Sequence, residues 1–304
     1  MAVGRPDRRA AAPATLGGSV APGVARRARN TIWRRALRQK GIAIGGTVAL
    51  LLVIVALVAP LIASHNPILI VGAERLRPPS AYHFFGTDGQ GRDVYSRVIY
   101  GSQLSLVVGF AVSLTTLLVG TALGLLCGYY RRFDNVVMRV MDGMMAFPGI
   151  ILAIGIMGVR GAQISNVILA LTVVYTPRLT RVVRSIVLGL REMQFVEAAS
   201  AIGNPSTRIL WRHILPNCLS PLIVQASFIF AEAVLGEATL SFLGAGAPPE
   251  IPSWGSMLND SKNVLRQAPW TMLFPGAAIT LTVFALNLLG DGLRDLLDPR
   301  LRRL

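Results

Sequence analysis

The residues that could do chemistry are few. Three histidines, His65, His83 and His213, are scattered along the chain, and two cysteines, Cys127 and Cys218, lie in or beside apolar runs without metal-ligand spacing. An enzyme needs convergent acid, base or nucleophile groups, and none form a motif here. HExxH, GxSxG and GxxxxGK[ST] are all absent, so nothing in this chain is expected to hydrolyse ATP or to hold a metal. Two acids stand inside an apolar run: Glu232 and Glu237. Five residues apart, they share a helix face poorly. Each is expected either to line a polar route or its gate, or to bond a neighbouring helix. Asp88, Arg92 and Asp93 sit in a glycine-rich stretch that lacks DxDxDG calcium spacing. A structural turn is the plain expectation there.

The elements holding these groups are membrane helices. Of 304 residues, 53% are hydrophobic and 15% charged, and the mean hydropathy is +0.55. A soluble surface needs more charge. The apolar residues fall in runs of the length that crosses a hydrocarbon core about 30 Å thick. Residues 1–40 form a basic tail with one acid, Asp7. Residues 41–103 hold a first span, Gly41 to Ala63, and a polar, turn-rich segment. The core, 104–304, is expected to carry spans at 104–130, 138–159, 164–183, 219–243 and 270–289. Phe147-Pro148-Gly149 can kink the third. Residues 244–268 read as a loop flanked by Trp254 and Trp270 as interface anchors. Asp142, which lies beside Arg139, is expected to pair at the cytoplasmic interface. The fold class is thus all-α, polytopic, with six spans.

The net charge of +15 would suggest nucleic acid in a soluble protein. Here the positions decide otherwise. Of 30 basic residues, 23 lie in the tail, the 131–139 region, 178–212 and the C-terminus. That asymmetry places both termini in the cytoplasm and excludes nucleic acid as the partner.

The connection 184–217 is the most informative stretch. Glu197 to Ile202 favours helix, and Gly203 suits the left-handed residue that ends one. Asn204 can cap a second helix with Pro205 at its first position, and Ile209, Leu210 and Ile214 give it an apolar side ended before Pro216. The residues alone predict a cytoplasmic helix–turn–helix, either a membrane-surface hairpin or a docking element for a soluble partner.

Glu197, Ala198, Ala199, Gly203, Leu215 and Pro216 match the EAA…G…LP signature, so the stretch resembles the coupling loop of permeases in binding-protein-dependent ABC importers. His213 stands where that pattern usually has Ile, a feature of the peptide-permease branch, whereas Asn204-Pro205 departs from the expected small residues. FGTDGQGRDVYSRVIYG (85–101), MRVMDGMMAFPG (138–149), EATLSFLGAGAPPEIPSWGSML (237–258) and NLLGDGLRDLLDPRLR (287–302) are similar to C-type subunits of dipeptide, oligopeptide and nickel permeases.

The resemblance covers roughly residues 41–304. It implies a subunit of the bacterial inner membrane, one half of a heterodimer with a second permease chain. One or two ATPase subunits that bind ATP and magnesium and an outer solute-binding protein would complete it. In that frame Gly203 permits the close turn, Glu197 pairs with a partner's base, and Asp88, Arg92 and Asp93 anchor the second span or touch the binding protein. A stand-alone secondary carrier is the competing reading; it would need coupling-ion groups at the midplane and often shows inverted repeats, and neither is visible.

Overall fold

The computed structural model describes residues 39–248 and 250–297. The basic tail expected over 1–40 therefore falls almost wholly outside the described residues, as does the end of the charged C-terminus. The described residues are helical, with one isolated antiparallel bridge, Thr87 to Asp93. In chain order the helices are α1 (Lys40–Leu57), α2 (Ala59–Ile62), a 3-10 turn (Gly72–Glu74), α3 (Val94–Tyr129), α4 (Arg131–Met145), α5 (Gly149–Arg160) and α6 (Ile164–Arg191). Then follow α7 (Gln194–Ala201), α8 (Ser206–Ile209), a π turn (Leu210–Ile214), α9 (Leu215–Phe242), α10 (Trp254–Ser261) and α11 (Trp270–Leu297).

Four stretches are long and apolar enough to cross a membrane: α1, α3, the joined Ser206–Phe242 and α11. The pair α4–α5 makes a fifth if counted as one span, but it bends by 92° at its break. The span expected at 138–159 is therefore broken, at the Phe147-Pro148-Gly149 stretch where a kink was expected. Pro148 has no amide to donate, and the residue before a proline is driven out of helical backbone. Beyond the break α5 has 12 residues, about 18 Å, short of a hydrocarbon core. Before it, α4 sets Arg131, Arg132, Asp134, Arg139 and Asp142 against the exposed apolar Phe133, Val136 and Val140.

Other boundaries also differ from the sequence reading. The second span was expected from Leu104, yet α3 begins at Val94, because Asp93 caps it by accepting from Ser96 N–H at 2.8 Å. The arginine inside that first turn, Arg97, is 2% exposed and held by acids. The expected loop 244–268 contains α10. Ser253 and Ser256 form a reciprocal capping box, each side chain accepting the other's backbone N–H at 3.1 Å. Trp254 is not an interface anchor: it is 1% exposed, and its Nε1 donates to Val98 O at 2.9 Å. Trp270 is half-buried and donates to Thr87 O.

Close backbone approach holds the bundle together. Gly120, Gly124 and Gly128 form one stripe along α3 and face Leu179, Val183 and Val187, a matching four-residue ridge on α6. A Cβ on Gly124 would sit 2.5 Å from the Val183 Cβ. Lipid tails are as apolar as leucine, so such close packing, rather than water exclusion, drives these helices together. At the other side Gly45 of α1 meets the α11 backbone at Ala285 and Leu289.

Candidate functional site

The α7–α9 hairpin is built from local rules. Gly203 has φ +81°, its N–H donates to Ser200 O, and Asn204 N–H donates to Ala199 O. These two bonds close α7 as a Schellman motif, which needs a left-handed residue. With Asn204 committed to that closure, the following N-cap falls to Pro205, one residue later than expected, and Ser206 is the first helical residue. Nor does the second helix end before Pro216. The π turn, in which Leu215 N–H reaches back to Leu210 O, widens the ladder ahead of the proline. Pro216 then occupies the second position of α9, where a missing N–H costs little, and Asn217 Nδ2 donates to His213 O at 2.6 Å.

The hairpin divides into an anchored side and an open side. Val196, Ala199, Ile209, Leu210 and Ile214 are buried in one cluster with Leu125, Val183 and Val187 of α3 and α6. Glu197, Ala198, Gly203 and Pro216 are exposed, and Leu215 is half-buried. Ile202, beside the turn, is 79% exposed, and nothing stands within 4 Å of where a Gly203 side chain would begin. A rigid root with a bare apex can carry motion between a bound partner and the helices above it.

The acid–base residues of 88–93 separate into two clasps. Asp88 accepts from the backbone N–H of Gln90 and Arg92 and from Arg92 Nε at 2.6 Å. Arg92 Nη2 and Arg97 Nη2 both reach Asp260 of α10, at 2.6 and 3.3 Å. The Asp88 carboxylate is thus spent on its own turn, and the pairings tie the start of α3 to α10. Asp93 points elsewhere, to the α3 cap and to His83 Nδ1 at 2.9 Å. The histidines that looked scattered partly converge, with the His65 and His83 rings 4.8 Å apart. His65, His83 and Asp93 offer ligating atoms within 4.8 Å of one another. His65 Nδ1 meets Ser64 Oγ at 3.0 Å and His83 Nδ1 meets Asp93 Oδ1 at 2.9 Å, which ties the cluster to the cap of α3.

The two carboxylates of α9 part company. Glu237 is fully buried and accepts from Ser105 Oγ at 3.1 Å and Ser241 Oγ at 2.8 Å, so it bonds a neighbouring helix. Glu232 is half-open and pairs with Arg178 Nη1 of α6 at 2.6 Å. Arg178 is the first of three arginines at three-residue spacing on α6. Arg181 pairs with Asp142 at 2.7 Å, and Arg184 grips Asp134 through two bonds. Asp142, expected to pair, does so with Arg181 on the neighbouring α6. The sequence signal for the ladder is the three-residue spacing of the arginines in RLTRVVR (178–184).

Helices of membrane length with an anchored, exposed hairpin define a membrane protein, and comparison with known proteins names its family. Residues 120–303 match the model of the binding-protein-dependent transport system inner membrane component, and residues 29–79 match the N-terminal transmembrane domain of oligopeptide transport permease C. The chain belongs to the former family and is a permease subunit of such a transport system. A putative peptide transport system permease protein of Brucella suis is 49% identical over 269 residues, 88% of this chain and 91% of that protein. A dipeptide transport system permease protein of Alkalihalophilus pseudofirmus is 46% identical over 275 residues, covering 89% and 90%. A glutathione transport system permease protein of Pectobacterium atrosepticum is 41% identical over 272 residues, covering 89% and 90%.

Proposed function

We propose that this chain forms half of the translocation path of an ATP-driven importer for peptide-like solutes. The observation that carries the reading is the hairpin: Gly203 fixed at φ +81°, an exposed apex, and a root buried among α3, α6 and α9. The exposed Glu197, Ala198, Gly203 and Pro216, with the half-buried Leu215, form the surface that an ATPase subunit grips, and Ala199 packs in the root beneath them. One or two such subunits bind ATP and magnesium beneath it. A second permease chain completes the path, and an outer binding protein delivers solute. ATP-driven closure of the ATPases moves the hairpin, and its rigid root passes that motion to the spans.

Six crossings complete the topology: α1, α3, the bent α4–α5 pair, α6, α8–α9 and α11. Both termini and the hairpin face the cytoplasm, supported by the bias in Lys and Arg. The Asp88–Arg92–Asp260 clasp then lies on the outer side, where it fixes the surface presented to the binding protein. The relatives' names, peptide, dipeptide and glutathione, share one solute chemistry: short peptides with a free ammonium and free carboxylate.

Gentle detergent extraction of the tagged chain from its native membrane tests this reading. A second permease and at least one ATPase are expected to co-purify, with ATP hydrolysis in the eluate. A chain that emerges alone and still transports would overturn it in favour of a secondary carrier.

A further inference from the structure

We infer that the Arg178–Glu232 pair is an exchangeable counter-ion site on the solute path, taking solutes that carry both an ammonium and a carboxylate. This rests on the permease reading above and deepens it. The pair lies far from helix ends: Glu232 is ten residues before the end of α9 and Arg178 fourteen after the start of α6. These offsets are about 15 and 21 Å along the helices. Yet the Arg178 side chain is 61% exposed and that of Glu232 37%. Charge at that depth does not face lipid; it faces a bundle interior or a water-filled route.

The surroundings favour a route. The pair opens on a cavity of about 420 Å³ walled by α6, α9 and α11, with Gln225, Phe228 and Asn287 on its sides. A second cavity, of about 540 Å³, shares Gln225 and Phe228 and continues along α9 to Ser220, Asn217 and Arg294. Asn217, Ser220, Gln225 and Glu232 set four polar groups among the apolar residues of α9 that line the two cavities. From Asn217 to Glu232 these polar groups run about 22 Å along the helix.

The chemistry of the pair suits passage rather than anchorage. An exposed ion pair contributes little to stability, so its partners can be exchanged at small net cost. A passing zwitterion offers its ammonium to Glu232 and its carboxylate to Arg178, and the side chains re-pair when it leaves. The pairings of Arg92 and Arg97 with Asp88 and Asp260 lack that freedom, because both arginines are buried, at 8% and 2% exposure. Conduction of this kind needs a site good enough to enter and weak enough to leave.

The test is cysteine accessibility in the co-purified assembly, with Cys127 and Cys218 first replaced by alanine. Arg178→Cys, Glu232→Cys and Gln225→Cys are each treated with anionic and cationic methanethiosulfonates. Gln225→Cys leaves the pair intact and keeps the test valid if loss of either charge harms folding. The retained charge should set the preference: the thiol beside Arg178 reacts about tenfold faster with the anionic reagent, and the thiol beside Glu232 with the cationic one. Millimolar dialanine should slow all three reactions, and N-acetyl dialanine amide should not. Unreactive thiols in an intact assembly, meaning the face is sealed by lipid or the second permease, would overturn the inference alone, as would reaction that dialanine leaves unchanged. Loss of the ATPase subunits from the wild-type preparation would instead overturn the underlying permease reading.

Discussion

Gly203 and Glu237 show two ways a single residue can be indispensable. At Gly203 the constraint is backbone alone: φ is +81° and open space surrounds the missing side chain. Gly203→Ala is expected to cost about 1 kcal/mol of local stability and leave most transport intact. Gly203→Trp should leave the chain inserted but abolish uptake, because bulk then fills the proposed contact surface. Uptake assays beside membrane-fraction immunoblots separate the two effects, and normal uptake in Gly203→Trp would sink the docking role. At Glu237 the constraint is burial. Glu237→Ala would leave the hydroxyls of Ser105 and Ser241 without their acceptor, at a cost of about 1–3 kcal/mol. A lowered thermal midpoint of the purified assembly is the expected readout, with Glu237→Gln nearer wild type because its oxygen still accepts. The sequence placed Gly203 correctly in a left-handed turn from residue type alone. It could not tell Glu237 from Glu232, since their difference lies in which neighbour meets them, a serine on α3 or an arginine on α6.

Between elements, small residues set the distances. The α3 stripe Gly120–Gly124–Gly128 admits the α6 ridge Leu179–Val183–Val187 to near backbone contact. Gly124→Val overpacks that seam and should destabilise the subunit by about 1–3 kcal/mol. Adding Val183→Ala should restore part of the loss, a coupling that a double-mutant cycle by thermal denaturation would detect. Additive losses would show that the two positions do not share a contact. Most helices were legible as apolar runs, but their ends were not. The expectation that α3 begins at Leu104 failed because Arg97 reads as a breaker until Asp88 and Asp260 are seen to neutralise it. The helix α10 went unread because eight residues between prolines look like loop, although the Ser253–Ser256 box was present in the letters. The 92° break at Phe147-Pro148 was visible as a possible kink but not in magnitude, which depends on how α4 and α5 pack.

At the scale of the whole molecule, two polar systems occupy different places in one apolar bundle. The clasp of Arg92 and Arg97 with Asp88 and Asp260 is mostly closed and ties α3 to α10. The hairpin Gln194–Pro216 is open at its tip and tied at its root to the same long helices. This combination suits a part that receives motion at one end and holds its shape at the other. Family membership follows from the match over residues 120–303, while the coupling role is what we propose for the hairpin. The central claim is that this hairpin is the contact through which an ATPase subunit drives transport. The direct measurement is photo-crosslinking from Ile202, the exposed residue beside the turn, using a benzoylphenylalanine incorporated there in native membranes. The account predicts an adduct whose partner peptide maps to a nucleotide-binding subunit, with a yield that changes when ATP is added. Adducts only to lipid or to the chain itself, in a preparation that still transports, would contradict it.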